Sequence, residues 1–443
     1  MDEALANSGR DMTSILIKSP KLNSPTVHRL PNGLTIIAEQ IPVDAVNLNV
    51  WLNVGSAIEP NAINGMAHFL EHMIFKGTQR LKSGEFEQQI EQRGAVTNAA
   101  TSQDYTHYYI TTAPKDFAEL APLQLDVLLN ASIPDEGFER ERFVVLEEIR
   151  RSEDNPRRRS YQRMAELTFE TLPYRRQVLG PTSVIEQLVP QQMRDFHSTW
   201  YRPASMTAVA VGNLPVDRLI HIIEESVTQL LPASSHPVPD RLPNLAGSAA
   251  ESPFTHIVRQ EYVDPALKQA RLMMLWRVPG LTDIQNTYEL DVLTSVLGQG
   301  RTARLVKDLR EERGLVSSVS ASNLTYLHQG VFAVSAQLPV EHVEAVEAAI
   351  VAHIQHLQSG RVTESEMARV QTQVANHFTF GNETPSDRAG LYGYYQTLVG
   401  GLEPAFNYSA AIQSLSASAL QTAAQTYLPT NAYGIVVIKP GES

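Results

Sequence analysis

The chain repeats itself. PKDFAELAPLQLDVLLNASIPDEGFERERFVVLEEI (114–149) aligns without a gap to PVEHVEAVEAAIVAHIQHLQSGRVTESEMARVQTQV (339–374). Further on, YRPASMTAVAVGNL (201–214) aligns to YLPTNAYGIVVIKP (427–440) at almost the same offset. In the first pair a proline follows an alternating, strand-like run; an amphipathic helix pattern, a break and a second helix come next. Self-similarity held over such a distance means two copies of one structural unit. At 443 residues the chain also exceeds what one hydrophobic core organises. The reading is two homologous α+β domains, 1–231 and 256–443, joined by a linker at 232–255 whose sequence is rich in proline and serine. Strand signals such as LTIIAEQ, VNLNVWLNVG and ARLMMLWRV, with helices grouped between them, predict an antiparallel-rich sheet in each copy, covered by helices on one face.

One copy carries something the other lacks. AHFLEHMIFKG (67–77) sets His68, Glu71 and His72 in an otherwise apolar helix pattern, with Asn64 as the expected N-cap and Gly77 as the stop. His68 and His72 are four apart and share a face, within reach of one ion. Burying two histidines and a carboxylate costs several kcal/mol unless something compensates, and a metal ion does so. The sister segment VLTSVLGQGRTARL places Val292, Ser295 and Val296 opposite the three, so the fold itself does not demand them.

Two histidines leave a zinc ion one protein ligand short of a catalytic set. The chain has no cysteine, so the third ligand must be oxygen or nitrogen. In FERERFVVLEEIRR, read as a helix from about Phe138, Glu141 and Glu148 lie seven apart on one inward face with Val144 and Val145. Glu147 falls about 100° away, beside Arg140 and Arg151, and reads as solvent-facing. Glu148 is therefore the candidate third ligand; Gln373 stands opposite it in the sister copy.

His-x-x-Glu-His followed by Glu148 resembles the zinc signature of the pitrilysin-type metallopeptidases, the inverzincins, in the branch of the mitochondrial processing peptidase and its bacterial homologues. The resemblance runs in order through NGLTIIAEQ, HFLEHMIFKGT, NAATSQDYTHYY, ERFVVLEEI, LGPTSVIEQL and YRPASMTAVAVGN. It implies a zinc endopeptidase acting on unfolded peptides or presequence-like segments. His68, His72 and Glu148 would bind one Zn²⁺ per chain, Glu71 would be the general base and Glu141 an accessory acid. It implies that the strand Asn98, Ala99, Ala100, Thr101 receives an extended peptide by β-augmentation. It also implies that Arg388 and Tyr395, seven apart and so on one helix face, stabilise the tetrahedral intermediate. Two such domains make half of a clam-shell chamber, so a homodimer is expected, each site taking zinc from one subunit and Arg388 and Tyr395 from the other; a heterodimer with a related subunit is the variant. The competing readings are a non-catalytic partner subunit, which typically loses the zinc motif, and a structural zinc protein, which is typically closed by four ligands and rich in cysteine.

A net charge of −12 argues against nucleic-acid and anionic-membrane partners. The N-terminal residues lack the apolar core of a secretory signal and no run of about 18 apolar residues exists, so a cytoplasmic or mature organellar protein is expected. GQGRTAR (298–304) lacks the spacing of a phosphate loop and reads as a glycine turn. PRRRSYQR (156–163) reads as a solvated loop and helix start, able to contact an acidic substrate. His107, on an alternating strand, reads as structural rather than as a further ligand.

Overall fold

The computed structural model describes residues 25–231 and 249–441; most of the expected linker lies outside them. Two sheets result, one from each half. The first contains β1 (Thr26–Arg29), β2 (Thr35–Gln40), β3 (Val46–Leu52), β4 (Val96–Thr101), β5 (Thr106–Thr112) and β6 (Met206–Gly212). The second contains β7 (Val258–Asp264), β8 (Ala270–Pro279), β9 (Ser318–Thr325), β10 (Gln329–Leu338) and β11 (Gly434–Pro440). Their orders, β1-β2-β6-β3-β5-β4 and β7-β11-β8-β10-β9, superimpose element on element once β1 is set aside. Each sheet is antiparallel except for one parallel pair, β2 with β6 and β7 with β11, where the last strand of the unit returns beside the first. No helix among the described residues is long and apolar enough to cross a membrane.

Alternation along the strands sends Ile36, Leu48, Val50, Ile110 and Ala208 to one face of the first sheet. There they pack, fully buried, against the helices Met66–Met73, Phe117–Leu129 and Val216–Leu230. The expectation of helices on one face only is corrected by the other side. Ile37, Trp51, Val209 and Val211 point away from that core and are also buried, because the helix Pro385–Val399 from the second half lies across them. This explains why β3 and β6 are buried at every residue rather than alternately. The exchange is reciprocal: the helix Pro156–Thr168 of the first half lies on the second sheet, with Met164 and Leu167 against Met273, Leu275, Val331 and Val436.

Matching ion pairs pin the two exchanged helices. Arg388 donates to buried Glu39 on β2 at 2.8 Å, and Arg159 donates through two nitrogens to Asp264 at the end of β7, at 2.9 and 2.6 Å. Gly393 lets its helix approach: a Cβ built there would lie 2.2 Å from the Trp51 ring. A third tie joins the hairpin turns of the two sheets. Asp104, after β4, accepts from Tyr174 at 2.9 Å and from the Leu327 backbone N–H at 2.8 Å.

Candidate metal centre

The helix Met66–Met73 starts differently from the sequence expectation. Asn64 is not its N-cap; it ends a preceding 3-10 turn, and Gly65 at φ 97° opens the helix. The orphan N–H groups go to Glu59, which sequence reasoning missed. One carboxylate oxygen accepts from the Gly65 N–H at 2.7 Å and from Asn64 Nδ2 at 2.9 Å, and the other from the Ala67 N–H at 2.7 Å. Glu59 is 3% exposed, and a negative charge at a helix N-terminus is favourable. No local pattern could reveal it, because the 3-10 turn Asn61–Ile63 separates Glu59 from the helix it caps. The helix tightens into a 3-10 turn at Ile74–Lys76 and stops at Gly77, as expected.

His68 and His72 project from the same side of this helix, ring centroids 4.9 Å apart. Glu148 comes from the helix Asp135–Asp154, which begins three residues before the expected Phe138. Its Oε2 lies 3.5 Å from Nε2 of each histidine, and one donor atom from each of the three residues falls within 4.8 Å of the others. Glu147 faces solvent, paired with Arg150 and Arg151 rather than with Arg140. Val145 is buried, but Val144, expected inward, is half exposed and lies outside the core cluster.

Glu141 does not join the donor cluster. Its Oε1 lies 3.0 Å from His72 Nδ1 and its Oε2 2.7 Å from Lys76 Nζ. A proton on His72 Nδ1 donated to Glu141 leaves the Nε2 lone pair directed at Glu148 and the ion position, the usual way a carboxylate fixes a metal-binding imidazole. Glu71, between the histidines, accepts from Thr101 Oγ1 at 2.6 Å, which ties the end of β4 to the centre.

The electrostatics follow from burial and neighbours. Burial lowers the His68 pKa to about 4, the His72 and Arg158 charges adding to it against Glu148; His68 is a neutral donor at pH 7. Burial also acts to lower His72, but its hydrogen bonds to Glu148 and Glu141 outweigh it and the net shift is upward. Glu148 is held below the ordinary carboxylate range, chiefly by His72. Burial pushes Glu71 up, against the Thr101 hydrogen bond and the His72 charge. The donor set suits zinc: two imidazoles and a carboxylate with an open fourth side, toward a cavity of about 810 Å³ that His68, Glu71, Thr101 and Glu148 help to line.

Asn98, Ala99, Ala100 and Thr101 lie on β4, the edge of the first sheet, whose outer side has no strand partner among the described residues. The structure does not bring Arg388 and Tyr395 to the centre. They sit on the exchanged helix, across the sheet from the Met66–Met73 helix. Glu39, which holds Arg388, lies on β2, four strand spacings or roughly 19 Å from β4. Tyr395 is 9% exposed within the Trp51–Tyr392 cluster. The physical reason is the helix exchange, which commits both side chains to the seam between the halves of their own chain. His107 is structural as expected: it stacks on Trp51 at 4.4 Å and its Nδ1 lies 3.1 Å from Asn49 Oδ1. Gly300, at φ 83°, makes the turn read from GQGRTAR. In the sister helix Val292 and Val296 are fully buried, with no donor at either histidine position.

Two sheets related by an internal repeat, with a histidine–histidine–carboxylate centre in one copy only, define a protein of the pitrilysin type. Residues 35–182 match the family described as "Insulinase (Peptidase family M16)" and residues 187–374 match "Peptidase M16 inactive domain". The chain is 27% identical to the zinc protease PqqE of Helicobacter pylori over 95% of this chain and 93% of that one. It is 30% identical to an uncharacterised zinc protease of Mycobacterium leprae, covering 69% of this chain and 67% of its relative. The crystal structure of a protease from Helicobacter pylori superimposes with a TM-score of 0.86 and 25% identity, over 94% of this chain and 99% of that one. The chain belongs to peptidase family M16.

Proposed function

We propose that the chain is a zinc-dependent endopeptidase that hydrolyses unfolded peptides, with His68, His72 and Glu148 as the zinc ligands and Glu71 as general base. The observation that supports this most is the convergence of His68, His72 and Glu148 beside the half-buried carboxylate of Glu71 at the mouth of a large cavity. A zinc ion held by these ligands supplies a Lewis acid that polarises a peptide carbonyl and acidifies water. Glu71 would then take the proton from the attacking water and deliver it to the leaving amine. Thr101 orients that carboxylate. The free edge of β4 suits an extended peptide added as a further strand, its main chain pairing with residues 98–101 beside Glu71.

We further propose that two such chains close one chamber. A heterodimer with a related subunit stays in view for a specific reason: Arg388 pairs with Glu39 and Tyr395 is buried within their own chain, which favours an oxyanion donor from a different subunit. The test is Glu71→Gln. The variant is expected to retain zinc, measured by elemental analysis, and to lose cleavage of an unstructured peptide that the wild type cuts. Equal cleavage by both would overturn the role of Glu71; absence of zinc from both would overturn the metal assignment.

A further inference from the structure

The cavity over the zinc ligands has an opposite wall, and that wall is basic. The first turns of the helix Pro156–Thr168 supply Arg157, Arg158 and Arg163, and Arg176 closes one end. Most cationic groups around it are already committed. Arg163 pairs with Glu166 at 2.9 Å, Arg159 with Asp264, and Arg176 donates to the carbonyls of Glu59 and Ser56. Arg157 and Arg158 are different: both are exposed, and neither side chain makes a hydrogen bond or ion pair among the described residues. The anions of the cavity lining are nearly all engaged too. Glu71 and Glu148 belong to the metal centre and Glu166 to Arg163, which leaves Glu153 as the one opposing carboxylate without a partner in the cavity lining.

A second cavity, about 330 Å³, continues from the first by sharing Arg157 and Tyr161. Its lining includes Arg271 and the serines of β9, and no carboxylate at all. The nearest acid, Asp264, is held by Arg159. The lining that runs from the zinc ligands across the exchanged helix therefore carries two uncommitted arginines against one uncommitted carboxylate, in a chain whose net charge is −12. Unpaired cations beside a low-dielectric cleft favour an anionic occupant and disfavour a cationic one.

We propose that the peptides cut at this centre are acidic close to the scissile bond, and that Arg157 and Arg158 select them by pairing with carboxylate side chains of the bound segment. The inference rests on the zinc cavity being the peptide-cleaving site. It assigns a charge preference opposite to that of a basic, presequence-like peptide.

The test separates selection from hydrolysis. Two fluorescein-labelled, unstructured peptides are compared that differ only in carrying glutamate or lysine at the same positions. Their binding to the full-length, zinc-loaded Glu71→Gln protein is followed by anisotropy. The glutamate peptide is expected to bind about tenfold more tightly, with the advantage shrinking at high salt. R157Q/R158Q should erase the preference and R157E/R158E should invert it, at unchanged zinc content. Equal binding of the two peptides, tighter binding of the lysine peptide, or a preference that survives charge reversal would overturn the proposal. Cleavage by the wild type is scored separately: charge-selective binding with neither peptide cut would refute the hydrolytic reading while leaving the selection in place.

Discussion

Removing the Arg388 side chain distinguishes a catalytic arginine from a structural one. Its partner Glu39 is 2% exposed and receives one hydrogen bond from Arg388 at 2.8 Å and one from Tyr392 at 2.9 Å. Burial already pushes the Glu39 pKa up, and the Arg388 charge is the largest force opposing that shift. Arg388→Ala therefore strands a buried carboxylate with a single neutral donor. Breaking such a pair costs about 3–5 kcal/mol, because the remaining charge is uncompensated. For domains of this size that corresponds to roughly ten degrees in Tm. Glu39→Gln/Arg388→Met removes both charges and should recover most of the loss, since replacing a whole buried pair is close to neutral. Calorimetric unfolding of the wild type, the singles and the double gives the cycle directly, with zinc content as a control on the distant centre. An Arg388→Ala protein with wild-type Tm and abolished peptidase activity would refute the structural assignment and place Arg388 in a partner's active site.

Three further outcomes follow from the geometry. Glu141→Ala frees His72 to rotate and to take the wrong tautomer, so zinc affinity should fall about 10–100-fold in competition with a chromogenic chelator; unchanged affinity would contradict the orienting role. Burial raises the Asp104 pKa from 3.8 to about 6, so between those values the folded chain binds more protons than the unfolded one. Stability therefore decreases as pH rises through that window, by about 3 kcal/mol at most, and Asp104→Asn should flatten this part of the pH–stability curve. Gly393→Ala should lower stability by at least about 1–3 kcal/mol through collision with Trp51, read as a reduced urea midpoint.

The metal centre was legible because its determinants are local and periodic. His68 and His72 lie four apart on one helix, Glu148 lies seven from Glu141 on another, and the sister copy is a built-in control that lacks them. Glu141 was legible as a residue near the site but not as the partner of His72 Nδ1, since helix periodicity gives a face and not a contact across helices. Glu59 and Arg159 were not legible, because neither acts within its own element: Glu59 reaches the helix past an intervening 3-10 turn, and Arg159 reaches across to the second sheet. Arg388 and Tyr395 share a helix face as the spacing indicates, yet that face is turned to the first sheet. Their i,i+7 relation carries no information about which surface receives it. The repeat pattern displayed two similar units while concealing that they trade helices.

That trade sets the order in which the chain can become a protein. As synthesis proceeds, β1 to β6 and their inner helices are complete once Leu230 has emerged, but Ile37, Trp51, Val209 and Val211 still face water. Their cover, Pro385–Val399, follows more than 150 residues later. Until then the half that carries His68, His72 and Glu148 presents an apolar sheet face to the cell, the kind of surface on which nascent chains aggregate or recruit chaperones. Cutting the gene between the halves would leave each product with a face that only the other can cover, so the two fragments are expected to be soluble together and not apart.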